Sequence, residues 1–239
     1  MPLVAAAVCP QPPLLVPQIA AGAAVETADL RAACDDAVAA LAGSGARSLY
    51  VVGAGDRTRE FSPPFRATLA PWGGPAEVTL GGPDHPPPSE WLPLSLSIGA
   101  WLLSRAADRP EELRMLTADS AASVVECREL GARLDAADPW AMLVIGDGSA
   151  CRGLKSPGYD DPRAEPYDQA VARALADADP DALLGLDPTL SAELKAAGRA
   201  PWQVLAGAAR AAGCAWRGEL TFEAAPYGVA YFVARWTRG

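Results

Sequence analysis

The chain has 239 residues, of which 50% are hydrophobic, and its 29 acidic residues outnumber its 20 Lys and Arg, giving a net charge of -9. This composition is typical of a folded globular protein, and a chain of this length can bury a core without disulfide bonds or metal ions. The acidic balance excludes the basic surface with which proteins bind nucleic acid or anionic membranes.

Cysteine usage and the apolar segments predict the compartment. The five cysteines are irregularly spaced, with no Cys-x-x-Cys pair: Cys9, Cys34, Cys127, Cys151 and Cys214. This pattern indicates neither a disulfide framework nor a zinc knuckle, so we expect a reducing, cytoplasmic setting. The uncharged N-terminal stretch lacks the basic segment of a secretory signal, and residues 91–104 are too few to span a bilayer, so no membrane partner is expected.

The first part of the chain alternates strand and helix signals. Residues 3–8 form a short apolar run that ends at prolines, which indicates a buried strand. Residues 25–42 carry apolar side chains at three- and four-residue spacing behind Glu26 and Asp29, which predicts a helix. Another strand is predicted over 48–52. Strand, helix and strand in this order are typical of a parallel pair with a crossover helix.

The rest of the chain predicts one α/β domain. Residues 53–92 are loop-rich, and a polar loop is predicted over 147–166. The other predicted elements are strands over 77–80, 113–116, 141–145, 219–222 and 227–236, a helix over 94–107, and helices opened by Pro180, Pro188 and Pro201. No linker sequence indicates a boundary between two domains. We therefore predict a single domain over residues 1–239, with a central, mostly parallel or mixed sheet flanked by helices.

Polar side chains cluster in three loops that follow predicted strands, where open α/β sheets place their ligands. If the strands are parallel, these loops bring one set of residues to one edge: Gln11, Asp56, Arg57, Asp147, Ser149, Cys151, Arg152 and Lys155. That these loops are ordinary solvated turns is an equally open interpretation.

Several familiar motifs are incomplete. Gly53-Ala54-Gly55 lacks the third glycine of a dinucleotide-binding loop, and residues 146–150 lack the glycine spacing of a nucleophile elbow. The only histidine, His85, lies in a proline-rich stretch typical of solvated surface. No histidine lies near Cys151 in the sequence, so Cys151 is more typical of a packed thiol than of a nucleophile. A zinc or iron site built from several imidazoles is not expected with one histidine.

Six segments stand out together: residues 9–17 (CPQPPLLVP), 94–99 (LSLSIG), 146–149 (GDGS), 164–168 (AEPYD), 200–208 (APWQVLAGA) and 225–233 (APYGVAYFV). In this order they resemble the class III extradiol ring-cleavage dioxygenase superfamily, catalytic B-subunit type, and within it an actinobacterial branch. The likeness runs over nearly the whole chain and implies a single α/β domain with a central sheet covered by helices.

The resemblance also implies an Fe(II) site made of two histidines and a carboxylate, with a further histidine as acid/base. Gln11 stands at the first iron-binding position, residues 53–60 contain no histidine, and Ala150 stands at the acid/base position. Only the carboxylate survives, as Glu219 or Glu223. One amide oxygen and one carboxylate hold Fe(II) far more weakly than two imidazoles and a carboxylate do. We therefore expect no cofactor and no metal ligands.

Three functions are compatible with this pattern. The first is a non-catalytic or regulatory homologue that binds a small polar or aromatic metabolite in the inherited cleft. The second is an enzyme of altered chemistry, either metal-free or using a hard ion held by Asp56, Asp147 and Glu223. The third is divergent oxygen-dependent ring cleavage. A homo-oligomer or a partner subunit over the cleft is compatible with each. The candidate cleft residues are Gln11, Asp56, Asp147, Ser149, Arg152, Glu223 and Tyr227.

Overall fold

The computed structural model of the chain describes residues 2–74, 77–81 and 90–239. The described strands are β1 (Leu3–Cys9), β2 (Ser48–Gly55), β3 (Arg59–Phe61), β4 (Phe65–Thr68), β5 (Glu77–Leu80), β6 (Glu112–Asp119), β7 (Trp140–Ile145), β8 (Trp216–Ala224) and β9 (Tyr231–Arg238). The described helices are α1 (Pro17–Ala20), α2 (Ala28–Ala42), α3 (Leu94–Arg105), α4 (Val124–Arg133), α5 (Ala164–Ala176), α6 (Pro180–Leu184), α7 (Pro188–Glu193) and α8 (Arg199–Ala211).

Seven of the described strands form one sheet, in the order β3-β6-β2-β7-β1-β9-β8. The strands β6, β2, β7 and β1 run parallel, while β3 pairs antiparallel at one edge and β9 and β8 at the other. A mixed sheet with a parallel centre confirms the predicted α/β class. The strands β4 and β5 form a separate two-stranded ribbon.

Helices cover both faces of the sheet. On one face, α2 and α3 bury Leu30, Val38 and Leu96 in a hydrophobic core, and on the other face α5 and α8 bury Val171 and Trp202. Every residue of β7 is buried because helices cover both of its sides. In the described part of the chain, no helix is long and apolar enough to cross a membrane.

Two glycines allow α4 and α8 to approach closely. A Cβ atom at Gly131 would overlap the backbone of Val204, and one at Gly207 would overlap the Arg128 carbonyl. Only glycine fits where two helix backbones come this near. This contact fixes α8, whose first turn lies at the carboxyl ends of the parallel strands.

The helix α4 starts with a capping box. Ser123 Oγ accepts a hydrogen bond from the Glu126 N–H at 3.3 Å, and Glu126 Oε2 accepts one from the Ser123 N–H at 2.8 Å. Ser123→Ala is expected to lower the free energy of unfolding by about 1 kcal/mol, measured by urea denaturation, because the Glu126 N–H loses its acceptor. The control Ser104→Ala removes a hydroxyl that only donates to a helix carbonyl. Equal losses in the two variants would contradict the capping argument.

Some predicted elements need correction. The helix predicted over 25–42 begins at Ala28, because Ala21–Ala24 form a 3-10 turn and Val25, 83% exposed, lies in the turn after it. The strand predicted over 227–236 begins at Tyr231, because the residues before it turn at Gly228, whose φ is 75°. The polar loop predicted over 147–166 ends earlier, where α5 begins. The elements α1, α4, α5, β3 and β4 are absent from the sequence prediction, and the remaining predicted elements are confirmed with small shifts at their ends.

Candidate functional site

The carboxyl ends of β1, β7 and β2 lie side by side at one edge of the sheet. From β1 the chain continues to α2 on one face, and from β7 it continues to α5 on the opposite face. Open α/β sheets bind ligands where neighbouring loops diverge in this way, because the divergence leaves a crevice. We call the place between these diverging loops, where Gln11 follows β1 and Asp147 follows β7, the crevice.

A hydrogen bond joins Gln11 and Asp147 across the crevice. The backbone N–H of Gln11 donates to Asp147 Oδ1 at 2.7 Å. The side-chain Oε1 of Gln11 is buried and accepts no hydrogen bond within the described residues. A buried polar atom without a partner costs about 1–3 kcal/mol. The oxygen has no contact with solvent in the structure, so a ligand must displace the groups that cover it before it can donate a hydrogen bond and recover that cost.

The carboxyl group of Asp147 changes charge near neutral pH. Burial raises the pKa of Asp147 from 3.8 to about 7, although the Gln11 amide favours the charged form. The residue as a whole is only partly buried, so the proton can exchange with solvent or ligand. Its carbonyl accepts a hydrogen bond from the Gly198 N–H at 2.8 Å, which fixes the loop against the start of α8. An acid with such a pKa can both accept and donate a proton, as general acid–base catalysis requires.

Tyr231, the first residue of β9, lies near this pair. The strand β9 pairs with β1 up to Val8 and Ala234, and Tyr231 lies further along toward the crevice. Burial and then the negative charge of Asp147 raise the pKa of Tyr231, so its phenol stays protonated at neutral pH. A buried, protonated phenol therefore lies near the Asp147 carboxyl group.

Tyr227 lies at the rim of the crevice. Its hydroxyl donates to Glu26 Oε2 at 2.7 Å and connects the β8–β9 turn to the segment before α2. This hydrogen bond to Glu26, with a contribution from burial, raises the pKa of Tyr227. The interaction closes one side of the crevice with a surface contact.

Ser149 and Arg152 belong to a second cluster, on the face covered by α5. Asp168 of α5 is fully buried and accepts hydrogen bonds from the Ser149 N–H at 2.8 Å and from Ser149 Oγ at 2.6 Å. The Arg152 guanidinium lies 4.0 Å from the Asp168 carboxylate and 3.1 Å from that of Glu165. Burial raises the pKa of Asp168, and its contacts with Ser149 and Arg152 oppose this effect. The cluster fastens the loop after β7 to α5.

The predicted grouping of Asp56, Asp147 and Glu223 is not found. Glu223 faces the cluster on the α5 side, where its charge contributes to the raised pKa of Asp168. Asp56 is exposed in the β2–β3 turn, which a hydrogen bond from Thr117 holds toward β6. No group of three or more His, Cys, Asp or Glu is placed to hold a metal ion among the residues that the structure describes.

The donors at this edge do not fit the iron site implied by the resemblance. Position 11 offers an amide oxygen and Ala150 offers a methyl group, where that site needs imidazoles. His85 lies outside the described residues. Of the two candidate carboxylates, Glu219 pairs with Arg235 at 2.6 Å on the exposed part of the hairpin. Glu223 lies nearer to the carboxyl edge of the parallel strands.

A cavity of about 640 Å³ lies at the opposite edge of the sheet, near the starts of β2 and β6. Its charged lining residues, such as Asp108 and Glu112, are exposed. An unpaired buried acceptor and a carboxyl group with a strongly shifted pKa are found instead at the crevice of Gln11 and Asp147. We take this crevice as the candidate site because perturbed groups converge at functional sites.

Tyr231 and Asp168 are not among the predicted site residues. Tyr231 was placed within a strand, and Asp168 was not singled out. Both lie in segments that carry the dioxygenase resemblance, 225–233 and 164–168, and this is the sequence signal that could have identified them. Their partners are distant along the chain, so spacing alone gives no indication of these contacts.

No protein-family model matches the chain, and no curated protein matches it either. The resemblance to extradiol dioxygenases therefore stays a prediction.

Proposed function

We propose that this protein binds a small metabolite in the crevice between β1 and β7, on a dioxygenase-like scaffold whose iron-binding positions have been exchanged. The observation that supports this most is the buried Oε1 of Gln11, which has no donor among the described residues and lies in the same crevice as Asp147, whose pKa is about 7. Both groups lie where loops diverge at the carboxyl ends of parallel strands.

The chemistry of the crevice favours a ligand with hydrogen-bond donors. Gln11 Oε1 can only accept, and the Asp147 carboxylate accepts once it is ionised above pH about 7. Phenols, catechols and amines present O–H or N–H groups of this kind. An aromatic ligand also agrees with the resemblance to ring-cleavage dioxygenases.

Gln11→Leu separates ligand binding from folding. Leucine removes the unpaired buried oxygen at similar volume, so the free energy of unfolding is expected to stay the same or rise by about 1 kcal/mol. Ligand binding is expected to weaken by about tenfold or more, because the ligand donor loses its acceptor. A thermal-shift screen of phenols, catechols and amines identifies the ligand, which at a hundredfold its Kd adds about 2.7 kcal/mol. Titrating that ligand into both proteins measures the difference.

Glu223→Gln is the matched control, since Glu223 lies on the α5 side of the sheet. It is expected to bind the screened ligand as the unchanged protein does. A screen without any stabilising compound, or a ligand that binds Gln11→Leu as tightly as the unchanged protein, would contradict the proposal.

A metal-free acid–base enzyme in the same crevice is the second candidate, and the pKa of about 7 at Asp147 favours it. Mass spectrometry of the screened ligand after incubation distinguishes the two functions. An unchanged ligand supports binding alone. A product whose rate of formation changes around pH 7 and vanishes in Asp147→Asn supports catalysis.

A further inference from the structure

Arg199, the first residue of α8, is a buried cation that bonds to no carboxylate among the described residues. Only 3% of its surface is exposed. Its oxygen acceptors are neutral: the Ser120 carbonyl at 2.6 Å, Gln203 Oε1 at 3.2 Å and the Ala122 carbonyl. Buried charges are normally paired, because neutral dipoles replace the lost hydration only in part. This position therefore favours a negative charge nearby.

One edge of the Arg199 guanidinium is open. Nη1 donates to the Ala122 carbonyl and to Gln203 Oε1 and lies 3.8 Å from Cys127 Sγ, and Nη2 donates once, to the Ser120 carbonyl. This leaves Nε–H and one Nη2–H without an oxygen acceptor among the described residues. Three described side-chain atoms are buried from solvent and have no hydrogen-bond partner: Gln11 Oε1, Arg59 Nε and Trp202 Nε1. Arg199 Nε has no partner either, but it is not one of these buried atoms, so a ligand can reach it. Two parallel N–H groups on one edge bind the oxygens of an anion in a bidentate manner.

Arg199 lines a cavity of about 210 Å³ at the carboxyl edge of the sheet. Lys195 lines the same cavity, and the other lining residues are Ser120, Ser191 and three alanines, so none is acidic. The N-terminus of α8 adds partial positive charge at the same place. In a chain with a net charge of -9, a wall with two cations and no acid attracts anions locally.

We propose that this cavity binds a phosphate group, either free phosphate or a phosphate monoester. The open edge of Arg199 holds two phosphate oxygens, and the Lys195 ammonium neutralises a further part of the charge. The site is separate from the crevice of Gln11 and Asp147, and its occupation does not depend on the function proposed for that crevice.

Titration with inorganic phosphate at constant ionic strength, with chloride as the reference ion, tests the site. Phosphate is expected to raise the Tm saturably and to shift the Nε–H resonance of Arg199 in ¹⁵N NMR spectra. Arg199→Lys, which removes the bidentate edge, is expected to weaken phosphate binding by about tenfold. Lys195→Gln is expected to weaken it by about threefold. Lys155→Gln removes an exposed lysine outside the cavity and is expected to leave binding unchanged.

Two measurements do not depend on whether Arg199→Lys folds: phosphate binding by Lys195→Gln, and the Arg199 Nε–H resonance of the unchanged protein. Both leave the buried hydrogen bonds of Arg199 intact. A monoester that binds more tightly than phosphate, or one that binds more weakly, supports the site and identifies the source of the phosphate group. Stabilisation no greater than that by chloride overturns the proposal. Equal weakening by Lys155→Gln and Lys195→Gln, or loss of phosphate binding in Asp147→Asn, overturns it as well.

Discussion

Replacing Asp168 with alanine is expected to lower the free energy of unfolding by about 3 kcal/mol. The Asp168 carboxylate accepts both the N–H and the Oγ–H of Ser149, and both residues are fully buried. Alanine leaves these two donors without an acceptor, and each buried unpaired donor costs about 1–3 kcal/mol. Arg152 also loses its buried partner. Urea denaturation at pH 7 measures the loss.

Ser149→Ala is the matched control, because it removes one donor and keeps the backbone N–H bonded to Asp168. The expected loss is about 1 kcal/mol. Asp168→Asn retains one acceptor oxygen, so its loss of unfolding free energy is expected to lie between those of Asp168→Ala and Ser149→Ala. A loss in Asp168→Ala no larger than that in Ser149→Ala would show that the carboxylate does not hold the loop.

Elements with strong local signals were predicted from the sequence. The strand β7 is an unbroken apolar run, and α6 and α7 each begin with Asp followed by Pro, which caps and opens a helix. The helix α4 was missed although its capping box is visible in the sequence. Its contact face with α8 is made of small residues such as Cys127 and Gly131, so the hydrophobic periodicity of a helix is weak.

The candidate site was predictable only in part. The rule that ligand-binding loops follow parallel strands selected Gln11 and Asp147, but their contact joins residues 136 positions apart and depends on β1 and β7 being neighbours. Ser149 was assigned to the same cleft. Side chains two residues apart in extended chain normally share a face, yet here Ser149 bonds to Asp168 on the α5 side. The tertiary contact with Asp168 places Ser149 there, and local spacing gives no indication of it.

Asp147→Asn is expected to stabilise the protein by about 2 kcal/mol at pH 8 and to have little effect near pH 4. In the folded protein the pKa of Asp147 is about 7, against 3.8 as the ordinary value. Between these pH values the folded state binds more protons than the unfolded state, so the unfolding free energy falls as pH rises from about 4 to about 7. Asparagine does not ionise and removes this fall. Partial exposure keeps the gain below the limit of about 1.4 kcal/mol per pKa unit.

Unfolding free energies of both proteins from pH 4 to pH 9 test this expectation, with Asp56→Asn as the control for an exposed carboxylate. The Asp56→Asn curve is expected to run parallel to that of the unchanged protein. If the unfolding free energies of Asp147→Asn and the unchanged protein differ by the same amount at every pH, the pKa of Asp147 is not shifted. A stabilising variant that also loses the screened ligand indicates that the carboxylate is kept for function at a cost in stability, because residues under purely structural selection do not show this combination.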